Sequence, residues 1–172
     1  MDALELRAYE FRKKQYEQGY IEDYKFLIPA IHFKYLSGES FEFILERNEN
    51  NMIIYSRFSL YEYILNLLAT VFFESFEEYT ECSYGEKIIT NITKINFKAL
   101  NKIIGMLENE IDVNFVRQLL NGIFNEEFEW ELYFEHLKKY KAEYLSMTYQ
   151  IKEILEQQLT AENFSRLVIS GY

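Results

Sequence analysis

With 172 residues, 49% of them apolar and 15 each of Phe and Tyr, the chain has core material for one domain and is short for two. A net charge of −10 argues against direct nucleic-acid binding, which needs clustered Lys and Arg, and suits a basic protein partner. Six Gly and a single Pro are few for an all-β fold, and a lone cysteine, Cys82, excludes an intramolecular disulfide and a Cys-rich metal site.

The N-terminal M-D-A-L-E-L-R has no apolar core of a signal peptide, so a cytoplasmic setting is expected. A first helix is predicted over Asp2 to Gln18, ended by Gly19. A second runs from about Ile21 to Leu36 and is kinked or split at Pro29. Ser40 to Arg57 reads two ways. Phe41, Phe43 and Leu45 alternate, Glu46 to Asn51 could turn and Met52 to Tyr55 could return, giving a small β-hairpin within 41–57. The competing reading is a short helix and an irregular link. It is preferred, because an isolated two-stranded hairpin has only marginal stability.

Leu60 to Phe73 is apolar in every direction except one line, Glu62, Asn66, Thr70 and, directly after, Glu74, spaced four apart. Ser59 and Glu62 have capping-box spacing. This predicts a buried central helix over about 60–79. The apolar run is too short for a membrane span. Glu74, Glu77, Glu78, Glu81 and Glu86 then follow with no base, answered by Lys87, Lys94, Lys98 and Lys102, and both runs read as solvated faces. Asn96 is a candidate N-cap for a helix through Leu107, and Asp112 for another from Val113 to Phe124.

Trp130, Tyr133, Leu137, Tyr140, Tyr144, Met147, Ile151 and Ile154 recur at 3–4 spacing, which predicts one long C-terminal helix over about 126–159. Its aromatic seam suits a neighbouring helix, and a second copy of the chain could fill it instead. Thr160 is a candidate cap for a short final helix, Ala161 to Ile169. Together these elements predict a mainly α, single-domain helical bundle spanning residues 1–172.

No catalytic or cofactor signature is present. His32 lies in an apolar stretch, and Tyr133 stands where the Glu of a Glu-x-x-His metal motif would precede His136. Nucleophile-elbow, phosphate-loop and dinucleotide patterns are missing, and Cys82 sits among acids that would blunt a thiol. The best local lead is an acid–aromatic stretch, Glu126, Glu127, Phe128, Glu129, Trp130, Glu131, Phe134 and Glu135. From Glu108 to Glu135 the only base is Arg117. Rings set among carboxylates suit the anchoring of a basic protein. The expectation is therefore a small acidic binding module without enzyme activity or cofactor, of inhibitor or immunity type, neutralising a basic partner such as a toxin nuclease. Two alternatives stand beside it. One is a ligand-sensing helical bundle whose aromatic pocket uses Glu62 and Asn66; the other is a nucleic-acid mimic that blocks a defence enzyme.

Overall fold

Alternation decides the first described part of the chain. In the computed structural model, which describes residues 22–23, 40–157 and 159–171, Phe41, Phe43 and Leu45 all turn to one face of a strand and are buried. This strand, β2 (Ser40–Glu49), pairs antiparallel with β3 (Met52–Tyr61), opposing Phe43 to Phe58 and Glu49 to Met52. The link is the two-residue turn Asn50–Asn51, both at positive φ (50° and 65°), a backbone that Asn tolerates better than most residues and whose twist matches the hairpin's. The short strand β1 (Glu22–Asp23) lies parallel to β3 at Ser56 and Arg57.

On the other side of β2 lies β5 (Phe164–Ser170), antiparallel, with β4 (Glu86–Ile89) beyond it, so the sheet order is β1-β3-β2-β5-β4. Its inner face carries Phe41, Phe43, Leu45, Phe58, Leu60, Leu167, Ile169 and Ile89, all buried. Phe43 is the centre of that face, stacked on Phe58 at 4.8 Å and tilted against Phe72 at 5.0 Å.

Seven α-helices are found among the described residues: α1 (Glu62–Leu67), α2 (Ala69–Phe72), α3 (Phe76–Ser83), α4 (Phe97–Glu108), α5 (Val113–Leu119), α6 (Trp130–Lys139) and α7 (Lys141–Lys152). The chain is thus an α+β fold, and the prediction of a mainly α bundle is corrected. The preferred reading of Ser40 to Arg57 as a short helix and irregular link is corrected too. The stretch is the alternative hairpin, longer than the 41–57 expected for it and no isolated ribbon, because β5 and β4 extend it to a four-stranded antiparallel sheet with an apolar face. Of the two predicted N-terminal helices, Asp2 to Gln18 lies outside the described residues, as does His32. Within the other, Glu22–Asp23 is extended and the rest is likewise outside.

The predicted central helix over 60–79 is also corrected. Leu60 and Tyr61 end β3, and Ser59 lies in that strand instead of capping a helix. The helical run is then divided at Leu68 and again at Phe73, where the backbone is extended (φ −125°, ψ 147°) before Ser75 caps α3 through the amide of Glu78. Residues 64–69 and 71–73 are all buried. Asn96 and Asp112 do cap α4 and α5, accepting from Ala99 and Phe115 amides at 3.0 and 3.1 Å. However, α5 stops at Leu119, short of Phe124, with Gly122 at φ 95° in the turn beyond it.

The long C-terminal helix over 126–159 is two helices broken at Tyr140 (φ −111°, ψ 28°), then a π-helical turn, Glu153–Gln157. A straight helix over those residues would be about 50 Å long, beyond the ~30 Å typical of a small domain. The break keeps Tyr133 and Leu137 of α6, and Tyr144, Met147 and Ile151 of α7, in the core. The predicted helix over Ala161 to Ile169 is replaced by β5, whose Leu167, Val168 and Ile169 form the short apolar run of a strand buried between neighbours.

The end of β5 is pinned to α3. The Gly171 amide donates to the Gly85 carbonyl at 2.9 Å, and a Cβ on Gly171 would stand 2.6 Å from the Ser83 carbonyl oxygen and closer still to that of Cys82. Backbone, not a flexible side chain, occupies that space. Gly171→Ala is therefore expected to lower stability by roughly 1–3 kcal/mol, as overpacking does, read as a drop in Tm by circular dichroism. An unchanged Tm would mean that the C-terminal residues do not pack there.

Candidate acidic surface

The acid–aromatic stretch begins in the loop after α5. Asn125 organises it: its side-chain oxygen accepts from the Glu127 amide at 3.0 Å, and its carbonyl accepts from the Trp130 indole nitrogen at 3.0 Å. These bonds turn the rings inward. Phe124 stacks on Phe128 at 4.6 Å, Phe128 meets Trp130 edge-on at 5.0 Å and Tyr133 at 5.5 Å, and Trp130 stacks on Phe134 at 5.8 Å. Tyr79 of α3 continues the series, edge-on to Phe124 at 5.4 Å and to Phe73 at 5.3 Å. Trp130 and Phe134 are buried and Phe128 is half-buried. What faces outward is carboxylate: Glu126, Glu127, Glu129, Glu131 and Glu135 are all exposed. Leu132 is exposed among them. Arg117, the one base of that stretch, lies over the faces of Trp130 and Phe134, 5.5 and 6.0 Å from the ring centres.

The structure therefore separates what the sequence interleaves. The rings are a rigid floor and the acids a surface above it. The stretch offers no projecting aromatic anchor between its carboxylates.

A second acidic surface adjoins this one and was not singled out in the sequence. The Phe76 amide donates to the Gly122 carbonyl at 3.2 Å, which sets the start of α3 beside the loop leading to Glu126 and Glu127. On α3 and its C-cap, Phe76 and Tyr84 are 53% and 82% exposed, with Glu77 and Glu81 exposed beside them. The signal was the base-free acid run from Glu74 to Glu86, read as a plain solvated face. The lysines that follow it do answer it in part. Lys94 pairs with Glu74 at 3.3 Å. Lys87 pairs with Glu78, donates to the Phe72 carbonyl at 2.7 Å and lies 5.2 Å over the Phe73 ring. Burial pulls its ammonium pKa below the usual lysine value, with Glu74 opposing. Lys87 is an internal clasp between α2, α3 and β4.

No protein-family model, no curated protein and no solved structure matches this chain.

The polar groups that a small-ligand pocket would use are engaged internally. Asn66 is buried and its oxygen accepts from the Tyr79 hydroxyl at 3.0 Å. Burial first, and then the charge of Glu62, pushes the Tyr79 phenol well above its usual range. Among the described residues no group of three or more His, Cys, Asp or Glu side chains is arranged to hold a metal ion, and no helix is long and apolar enough to cross a membrane.

Cys82 is 1% exposed and its thiol donates to the Ile169 carbonyl at 3.4 Å. Burial pushes its pKa up to about 11, with Glu86 adding and a backbone hydrogen bond from Lys87 opposing. The neutral thiol is held at all ordinary pH values, and the thiolate is the reactive form. Cys82 is expected to resist an aromatic disulfide reagent at pH 8 until the chain is unfolded by denaturant. Stoichiometric labelling of the native protein within minutes would contradict this burial.

Proposed function

We propose that this chain is a small acidic protein-binding module that acts by covering a basic surface of another protein, as inhibitors and immunity proteins do, in a cytoplasmic setting. The observation that carries the reading is the exposed row Glu126, Glu127, Glu129, Glu131 and Glu135 held over a packed floor of rings. Packing and the Asn125 turn fix the backbone beneath these carboxylates, so less loop order has to be gained on binding. Their field, added to a net charge of −10, speeds encounter with a basic patch and disfavours acidic competitors. A nuclease toxin is the kind of partner that fits, because its phosphate-binding site must itself be rich in Lys and Arg. The same charge repels nucleic acid, so the reading is of a protein binder without a cofactor and without chemistry of its own.

The test is affinity capture from the native lysate at low and high salt, followed by mass spectrometry. One basic protein is expected to be retained at low salt, released at high salt and lost to the Glu127→Lys/Glu131→Lys variant. Retention that ignores both salt and the two replacements would overturn the reading.

A further inference from the structure

We propose that the outer face of α3 is where the partner's apolar side chains dock, with Phe76 and Tyr84 as anchors bordered by Glu77 and Glu81. The inference rests on the basic-partner reading above and adds a second contact to it. At about 100° per residue, Phe76, Thr80 and Tyr84 fall within roughly 80° of arc, and Glu77 and Glu81 extend that arc to roughly 140°. The opposite side holds the buried Tyr79 and Cys82. Among the described residues most rings are covered, and Tyr133, Tyr144, Phe41, Phe43, Phe58 and Phe72 are essentially inaccessible, with Tyr149 the other aromatic ring that is exposed. Two large rings 53% and 82% exposed on one short face depart from that habit.

Charge selects the occupant. From Glu74 to Glu86 the chain has no Lys or Arg, Lys87 is turned inward to Glu78, and among the described residues neither Glu77 nor Glu81 has an ion-pair partner. A second copy would bring the same two acids against themselves. A segment of a basic protein that sets Leu- or Ile-like side chains between Lys or Arg would satisfy both features, placing apolar groups on the rings and cations on the rim. The Phe76–Gly122 hydrogen bond puts this face next to the Glu126–Glu127 loop, so one partner can reach both.

The probes are two short synthetic peptides of equal positive charge, one alternating Arg with Leu and the other with every Leu replaced by Ser. Each is titrated at low salt while backbone amide shifts are followed by NMR. The Leu peptide is expected to bind more tightly and to shift the amides from Phe76 to Tyr84. Phe76→Ser/Tyr84→Ser should weaken it about tenfold and leave the Ser peptide unchanged. Both rings are exposed, and an unchanged spectrum elsewhere verifies the fold of the variant. If both peptides bind but the double variant alters neither, the docking face is wrong and the charge-based reading survives. If neither binds at low salt, both fail. Concentration-dependent shifts of the same amides without peptide would assign the face to self-association and overturn the proposal.

Discussion

Ending the chain after Thr160 is expected to abolish cooperative folding. The truncation removes β5, which lies between β2 and β4 and supplies Leu167 and Ile169 to the inner face of the sheet. Burying two such side chains contributes roughly 3–6 kcal/mol, a large part of the 5–15 kcal/mol that usually holds a domain together. The loss also leaves the inner edge of β2 without its hydrogen-bonding partner, and β4 without any strand beside it among the described residues. Circular dichroism of the truncated chain should show no sharp thermal transition. The single replacement Ile169→Ala keeps the strand and should cost about 2–5 kcal/mol, visible as a lowered Tm. A truncated chain that melts like the full one would mean that the sheet does not depend on its C-terminal strand.

The second large effect is on binding. Glu127→Lys/Glu131→Lys is expected to weaken the partner by roughly 2–3 kcal/mol, or about thirty- to two-hundred-fold in Kd, because each replacement removes an attraction and introduces a repulsion. Most of the early loss should appear in the association rate at low salt. Both positions are exposed, and neither side chain makes an ion pair among the described residues, so Tm should hardly move. Glu153→Lys, also exposed but at the far end of α7, is the control for one charge reversal and should cost much less than either Glu127→Lys or Glu131→Lys alone. Equal losses at all three positions would point to bulk charge instead of a defined surface.

What the sequence made legible was mostly local. Asn96 and Asp112 cap their helices because a short acceptor in front of an apolar periodic run satisfies an otherwise orphaned amide, and that needs no tertiary information. The hairpin was half legible. Phe41, Phe43 and Leu45 gave the strand period, but the turn is Asn50–Asn51, a weaker signal than Asn-Gly, and the strand that stabilises the pair comes 120 residues away, where Glu46 meets Arg166 through two hydrogen bonds of 2.8 Å. Nothing local in Phe164 to Ser170 distinguishes a short apolar strand from a short helix.

The break at Tyr140 has neither Gly nor Pro to announce it. The periodicity of the seam runs through Tyr140 unchanged, so it does not encode where the two helices part. At the candidate site, composition identified the carboxylates but could not orient the rings, since inward and outward Phe128, Trp130 and Phe134 look alike along a helix and loop. The Asn125 turn decides it. Phe76 and Tyr84 escaped notice for the converse reason: apolar residues beside a run of acids read as core until their exposure is seen.

The measurement that tests the acidic-surface account most directly is the affinity of the captured partner as a function of salt, by titration calorimetry, for the native chain and for Glu127→Lys/Glu131→Lys. Kd for the native chain is expected to rise steeply with salt, and the two curves to converge as screening removes the contribution of Glu127 and Glu131. A Kd that is flat with salt and identical for the two proteins would contradict it.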